Sequence, residues 1–129
     1  MILQVIRFRI SEFDIDGLRF DAADVMEKQF FTAMHAQCTS VKSDFWLMGE
    51  VIHGDYRAWV NNESLNSVTN YECYKGLWSS HNDKNYFEIA YSLNRQFGEH
   101  VIYKGFNLYN FADNHDVDSI RTVLFSQTA

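Results

Sequence analysis

Apolar and polar positions change period along the 129-residue chain, and the changes mark its elements. Ile2, Ile6, Ile10 and Phe13 recur at helical spacing and predict a helix over 2–13. The period then falls to two: Ile15, Leu18 and Phe20 stand between Asp16, Arg19 and Asp21. That predicts a strand over 17–21 with Arg19 and Asp21 on one face. A helix over 25–39 should follow, with Met26, Phe30, Ala33 and Gln37 on one face and Phe31 and Met34 widening it. Asp24 and Glu27 stand ahead of it at capping-box spacing.

Residues 45–49 form a continuous apolar run, as a strand buried on both faces should. A short helix is expected over 55–65, with Tyr56, Trp59, Val60 and Leu65 as its apolar positions. Residues 67–72 are rich in β-formers and read as a third strand, followed by a polar loop through Asp83. Tyr86, Ile89, Ala90, Leu93 and Phe97 predict a helix over 85–97, with Gly98 placed to end it. A fourth strand over 106–111 leads into Ala112-Asp113-Asn114-His115-Asp116, and a last helix is expected from Val117 or Asp118. One helix and then four strands, each followed by a helix, argue an α/β fold with a parallel sheet.

Composition narrows the function. The net charge of −6 does not suit a polyanion, so no nucleic-acid partner is expected. Arg7 and Arg9, the densest basic pair, belong on the solvent face of the first helix. No run approaches the length that crosses a bilayer, so no membrane partner is expected either. Cys38 and Cys73 lack metal or redox spacing and read as reduced, partly buried thiols. No Gly-rich phosphate fingerprint follows any strand.

Three carboxylates close the predicted strands: Asp21, Glu50 and Asp116. The first two are 29 residues apart and the second two are 66 apart. A (β/α)8 barrel of about 250 residues allots about 31 to each unit. The intervals are thus one unit and two, which would put all three acids on the C-terminal rim of one parallel sheet. A Rossmann-like sheet would give the same rim. Three acids on one rim suit glycoside hydrolysis, in which one carboxylate attacks the anomeric carbon and another protonates the leaving oxygen. Neighbouring strands lie about 4.8 Å apart, close to the separation a retaining enzyme needs. Arg19 would hold Asp21 as an oriented anion, and the apolar run before Glu50 would favour its protonated form.

These three sites resemble one family. Asp16-Gly17-Leu18-Arg19-Phe20-Asp21-Ala22-Ala23 resembles the nucleophile motif of the α-amylase family, glycoside hydrolase family 13. Trp46-Leu47-Met48-Gly49-Glu50-Val51 resembles its acid/base motif, and Phe111-Ala112-Asp113-Asn114-His115-Asp116 its third-acid motif. They occur in the family's order and spacing over almost the whole chain. The resemblance implies a partial TIM (β/α)8 barrel of parallel strands alternating with helices: residues 1–129 would be an internal fragment of the catalytic barrel, about its fourth to seventh strands, with no second domain. It implies a retaining hydrolase of α-glucans (starch, maltooligosaccharides or cyclodextrins) with Asp21 as nucleophile, Glu50 as acid/base and Asp116 as transition-state stabiliser. Arg19 would hold the nucleophile, His115 would bind the same sugar, Asn114 would support the loop, and His53 is a candidate substrate contact. Tyr56, Tyr74 and Trp78 are candidate stacking platforms.

Two departures qualify it. The family's Asp-x-x-x-Asn-His motif is absent, and Asp24-Val25 stands where many α-amylases carry Lys-His, which suits shorter α-glucans or cyclodextrins. The chemistry implied needs no cofactor; a structural calcium in a full-length protein stays open. Two rivals remain: a non-catalytic sugar-binding fragment, and a metal-dependent barrel hydrolase using Glu50, His53, His115 and Asp116. A half barrel leaves open strand edges, so the isolated chain is expected to be inactive and to associate, with itself or with the missing barrel half.

Overall fold

A computed structural model describes residues 1–98 and 101–120. The described chain forms two compact units, 1–68 and 69 onward.

The first unit opens with α1 (Ile2–Phe13), which buries Ile6 and Ile10 and leaves Arg7 and Arg9 in solvent. Asp14 then turns the chain in left-handed geometry, φ 47°. β1 (Gly17–Phe20), β2 (Trp46–Gly49) and the start of β3 (Ser67–Thr69) run parallel. β1 pairs with β2 over its full length, Gly17 opposite Trp46 to Phe20 opposite Gly49. Between β1 and β2 runs α2 (Lys28–Thr39). Its buried face is Phe31, Met34 and Cys38, turned about one residue from the expected Met26, Phe30, Ala33 and Gln37 face; Ala33 is exposed. Phe20, Phe30 and Phe31 meet edge to face, and Trp59 adds to Phe31. Phe31, Met34, Cys38, Leu47, Val51, Leu65 and Val68 are fully enclosed, an apolar core.

Several boundaries differ from the sequence reading. A 3-10 turn (Ala23–Val25) precedes α2, and Glu27 occupies its N-cap without a side-chain bond. The capping box does not form because the Asp24 carboxylate accepts the Ile52 N–H instead (3.1 Å). β2 is covered on one face only: Leu47 and Gly49 are buried while Trp46 is exposed. The helix expected over 55–65 shrinks to a 3-10 turn, Tyr56–Ala58. The Asn61 side chain accepts the Glu63 N–H (2.9 Å), a local turn that competes with helix propagation.

The second unit holds α3 (Tyr71–Asn82), α4 (Phe87–Phe97) and β4 (Asn107–Tyr109). α3 occupies much of what reads as a strand end and a polar loop. Asn70 caps it by accepting the Cys73 N–H (3.1 Å). Its buried residues include Gly76, Ser79 and Ser80, so no apolar stripe announces the helix. Those small residues let α4 come close: a Cβ on Gly76 would lie 3.1 Å from the Ile89 Cα. Ser80 Oγ accepts the Ile89 N–H (3.2 Å), and Ser79 Oγ donates to the Glu88 carboxylate. α4 buries Ile89, Ser92 and Gln96, while Tyr86, Ala90, Leu93 and Phe97 face outward. Gly98 ends α4 at φ −89°, not in the left-handed region; glycine is needed because a Cβ there would fall 2.7 Å from the Asn94 carbonyl oxygen and 2.8 Å from its Cα. A buried amide network ties the unit together: Asn70 donates to Gln96 Oε1 (2.7 Å) and Asn110 Oδ1 (2.8 Å), and Gln96 donates back to Asn70 (3.1 Å). The Asn70 N–H also donates to the Tyr109 carbonyl of β4 (2.9 Å). Val117 makes an antiparallel bridge to Asn114, so the helix expected from Val117 or Asp118 begins only at Ile120. The rest of the expected last helix, from 121 on, lies outside the described residues.

Parallel strands alternating with helices are therefore observed, with two helices after β3 and only a turn after β2. No described helix is long and apolar enough to cross a membrane.

Candidate active site

Asp21 and Glu50 each follow directly on a strand, β1 and β2. The register ends with Phe20 opposite Gly49, so the two acids stand one step beyond the last pair, on neighbouring strands. The ladder continues to hold them: the Glu50 N–H donates to the Phe20 carbonyl and the Ala23 N–H to the Glu50 carbonyl, each 2.8 Å. Gly49 is required at this corner. A Cβ there would fall 2.5 Å from Leu65 Cδ1 and 3.0 Å from the Ala23 Cβ.

The acids differ in surroundings. The Glu50 side chain is 6% exposed and that of Asp21 is 81% exposed. Arg19 lies between them, its Nη2 2.9 Å from Glu50 Oε1 and 3.5 Å from Asp21 Oδ1. Arg19 was expected to hold Asp21; its closer partner is Glu50. The Glu50 Oε2 also accepts the Ala22 N–H (3.2 Å). Ala22 sits at φ 46°, a left-handed conformation that costs a residue with a Cβ about 1–2 kcal/mol. That strain turns the chain sharply after Asp21 and aims the amide at Glu50. Ala22 has no chemistry of its own, and sequence offers no signal for its role.

The second unit carries Asn114, His115 and Asp116. They lie in the loop after β4 and do not close the strand itself. Asn114 Oδ1 accepts the Asp116 N–H (2.9 Å), and its amide donates to the Tyr71 hydroxyl (2.8 Å). Asn114 thus braces the loop, as expected, through a tyrosine that reads as part of a strand in sequence. His115 Nε2 is 3.2 Å from Asp116 Oδ2, both side chains being more than half exposed. An open cleft of about 490 Å³ is lined by Tyr74, Trp78, His115, Asp116, Val117 and Asp118.

Other candidates separate cleanly. His53 is exposed on the loop beyond Glu50. Tyr56 is buried and offers no stacking face, and Trp59 packs on Phe31 with Lys28 over its ring. Tyr74 lies flat on Phe111 (5.2 Å, 8°) and donates its hydroxyl to the Asp118 carbonyl (2.8 Å); burial pushes its phenol up from the usual range. Cys38 and Cys73 are buried free thiols, both pushed up by burial. Among the described residues no group of three or more His, Cys, Asp or Glu is placed to hold a metal ion.

Known proteins share this arrangement of elements. The α-amylase of Anoxybacillus superposes on 98% of the chain with a TM-score of 0.82 at 26% identity, the matched part being 28% of that chain. In sequence, the maltogenic α-amylase of Bacillus acidopullulyticus is 33% identical over 70 residues, 54% of this chain and 12% of its own length. The intracellular maltogenic amylase of Bacillus subtilis (strain 168) is 23% identical over 123 residues, 94% of this chain and 21% of its own length. Over about half its length the chain is thus similar to maltogenic amylases and cyclomaltodextrinases of the α-amylase family, glycoside hydrolase family 13, and its fold is similar to that of solved α-amylases. Its fold is part of that family's (β/α)8 barrel. The segment spans only between an eighth and about a fifth of these two curated α-amylase relatives. No family model matches the sequence.

Proposed function

We propose that this segment carries the catalytic acids of a retaining α-glucan hydrolase, and that both compact units belong to one catalytic barrel. The observation that carries the reading is the β1–β2 register, which sets Asp21 and Glu50 side by side with Arg19 touching both. In the first half-reaction the Asp21 carboxylate bonds to the anomeric carbon, the glycosidic bond breaks, and Glu50 gives its proton to the departing oxygen. In the second, Glu50 takes a proton from water, the water oxygen bonds to the anomeric carbon, and the bond to Asp21 breaks. One guanidinium serves two carboxylates. Asp116 and His115 grip sugar hydroxyls as charge develops, and Asn114 holds their loop. The exposed Asp21 side chain is open to a sugar in a way that the enclosed Glu50 is not. His53 is a further contact on the loop after Glu50. The names of the relatives support maltooligosaccharides or cyclodextrins as the substrate class.

In a complete barrel carrying this segment, Asp21→Asn should remove hydrolysis of maltotriose by at least about 10³-fold while maltotriose still binds. A variant that keeps the full rate would show that Asp21 is not the nucleophile. The 129-residue chain alone should not hydrolyse maltotriose and should associate, because open strand edges invite pairing. Turnover by the monomeric chain in a size-fractionated sample would overturn that expectation.

A further inference from the structure

The two strands that carry the first two acids do not end in step. A parallel ladder running on past Glu50 would send the Ala22 N–H to the Glu50 carbonyl and the Ile52 N–H to the Ala22 carbonyl. The chain bonds otherwise. The left-handed turn at Ala22, φ 46°, puts the Ala23 N–H on the Glu50 carbonyl instead (2.8 Å). The Ala22 carbonyl turns into its own 3-10 turn and accepts the Val25 N–H (3.2 Å). The half-buried Asp24 then stands in for it: its Oδ2 accepts the Ile52 N–H at 3.1 Å. The Ala22 N–H, left out of the ladder, reaches the Glu50 side chain, Oε2 at 3.2 Å.

We propose that Asp24 is a positioning residue for Glu50, which holds the two rim loops one residue out of step so that the Ala22 amide stays on the Glu50 carboxyl. The inference rests on the reading of Glu50 as the acid, and adds to it a residue outside the three motifs. Without the Asp24 acceptor, the Ile52 N–H is left to find the Ala22 carbonyl, the next rung of an ordinary ladder. Closing that rung undoes the turn and draws the Ala22 amide back to the Glu50 carbonyl. The amide matters most as the leaving oxygen takes its proton. Glu50 becomes a carboxylate at that moment, and an N–H bond to a carboxylate is stronger than one to a neutral carboxyl. The bond therefore tightens in the transition state, which is the condition for raising the rate. Arg19 serves the other oxygen, Oε1, from within β1 and does not depend on the turn.

A complete barrel carrying this segment allows the test, with kcat/KM on two substrates as the readout. Maltotriose loses a sugar alcohol and needs the Glu50 proton, whereas nitrophenyl α-maltoside loses a nitrophenolate and needs it little. Asp24→Ala should lower kcat/KM on maltotriose about ten- to a hundredfold, the scale of a small misplacement of a catalytic group, and on the nitrophenyl substrate less than about threefold. Asp24→Asn keeps an acceptor oxygen and should recover most of the loss on maltotriose. Glu50→Ala should show the same split between the substrates, and a larger one. If Glu50→Ala shows that split while Asp24→Ala loses nothing, or loses equally on both substrates, the α-glucan reading stands and the role of Asp24 is refuted. A loss for Asp24→Asn as large as for Asp24→Ala refutes it as well, because the acceptor is then not what matters. If Glu50→Ala loses equally on both substrates, Glu50 is not the acid and the inference falls with that reading.

Discussion

The two compact units bury different things. The first encloses Phe31, Met34, Leu47, Val51, Leu65 and Val68, an apolar core of ordinary kind. The second encloses Asn70, Gln96 and Ser80 beside Tyr103, and its two helices meet over Gly76, Ser79 and Ser92. Hydrophobic burial is non-directional, whereas a buried amide network holds only if every member finds its partner. The first unit should therefore yield gradually to changes of volume, and the second sharply to the loss of one polar partner. The candidate site follows the same division. Asp21 and Glu50 are set by a strand register and backbone bonds, while Asp116 depends on an Asn114–Tyr71 side-chain bond.

The sharpest way to break this contrast is Asn70→Leu. It removes the cap of α3 and strands Gln96, and should lower the stability of the chain by about 2–4 kcal/mol in urea unfolding followed by far-UV circular dichroism. A loss below about 1 kcal/mol would mean that the network is incidental. In the first unit, Gly49→Ala forces a methyl against Leu65 and Ala23 and should cost about 1–3 kcal/mol by the same measurement. It should also displace Glu50, so that hydrolysis in a complete barrel falls further than stability alone explains. Unchanged activity would show that the corner after β2 adapts without moving the acid.

Much of the first unit was legible in the sequence. Ile6 and Ile10 mark α1, the alternation around Leu18 and Phe20 marks β1, and the run ending at Gly49 marks β2. The second unit was not legible in the same way. α3 was read as loop because its contact face is Gly76, Ser79 and Ser80, which carry no hydrophobic period. The apolar stripe of α4 pointed the wrong way for the same reason: Ser92 and Gln96 face α3, and Leu93 and Phe97 face out. The expected helix after Glu50 failed because Asn61 offered its backbone a local turn.

By itself the sequence carried the parallel alternation, the resemblance to the α-amylase family and the candidate acids Asp21, Glu50 and Asp116, since these rest on local period and on motifs at fixed intervals. Only the tertiary structure decided that Arg19 sits closer to Glu50 than to Asp21, that a left-handed Ala22 turns its amide to Glu50, that Tyr71 braces Asn114, and that Trp78 holds an unpaired donor. Each of these is a hydrogen bond, or the lack of one, between groups far apart in the chain or turned by an uncommon φ. No periodicity encodes such pairings, because they exist only once the backbone has brought the groups within about 3 Å.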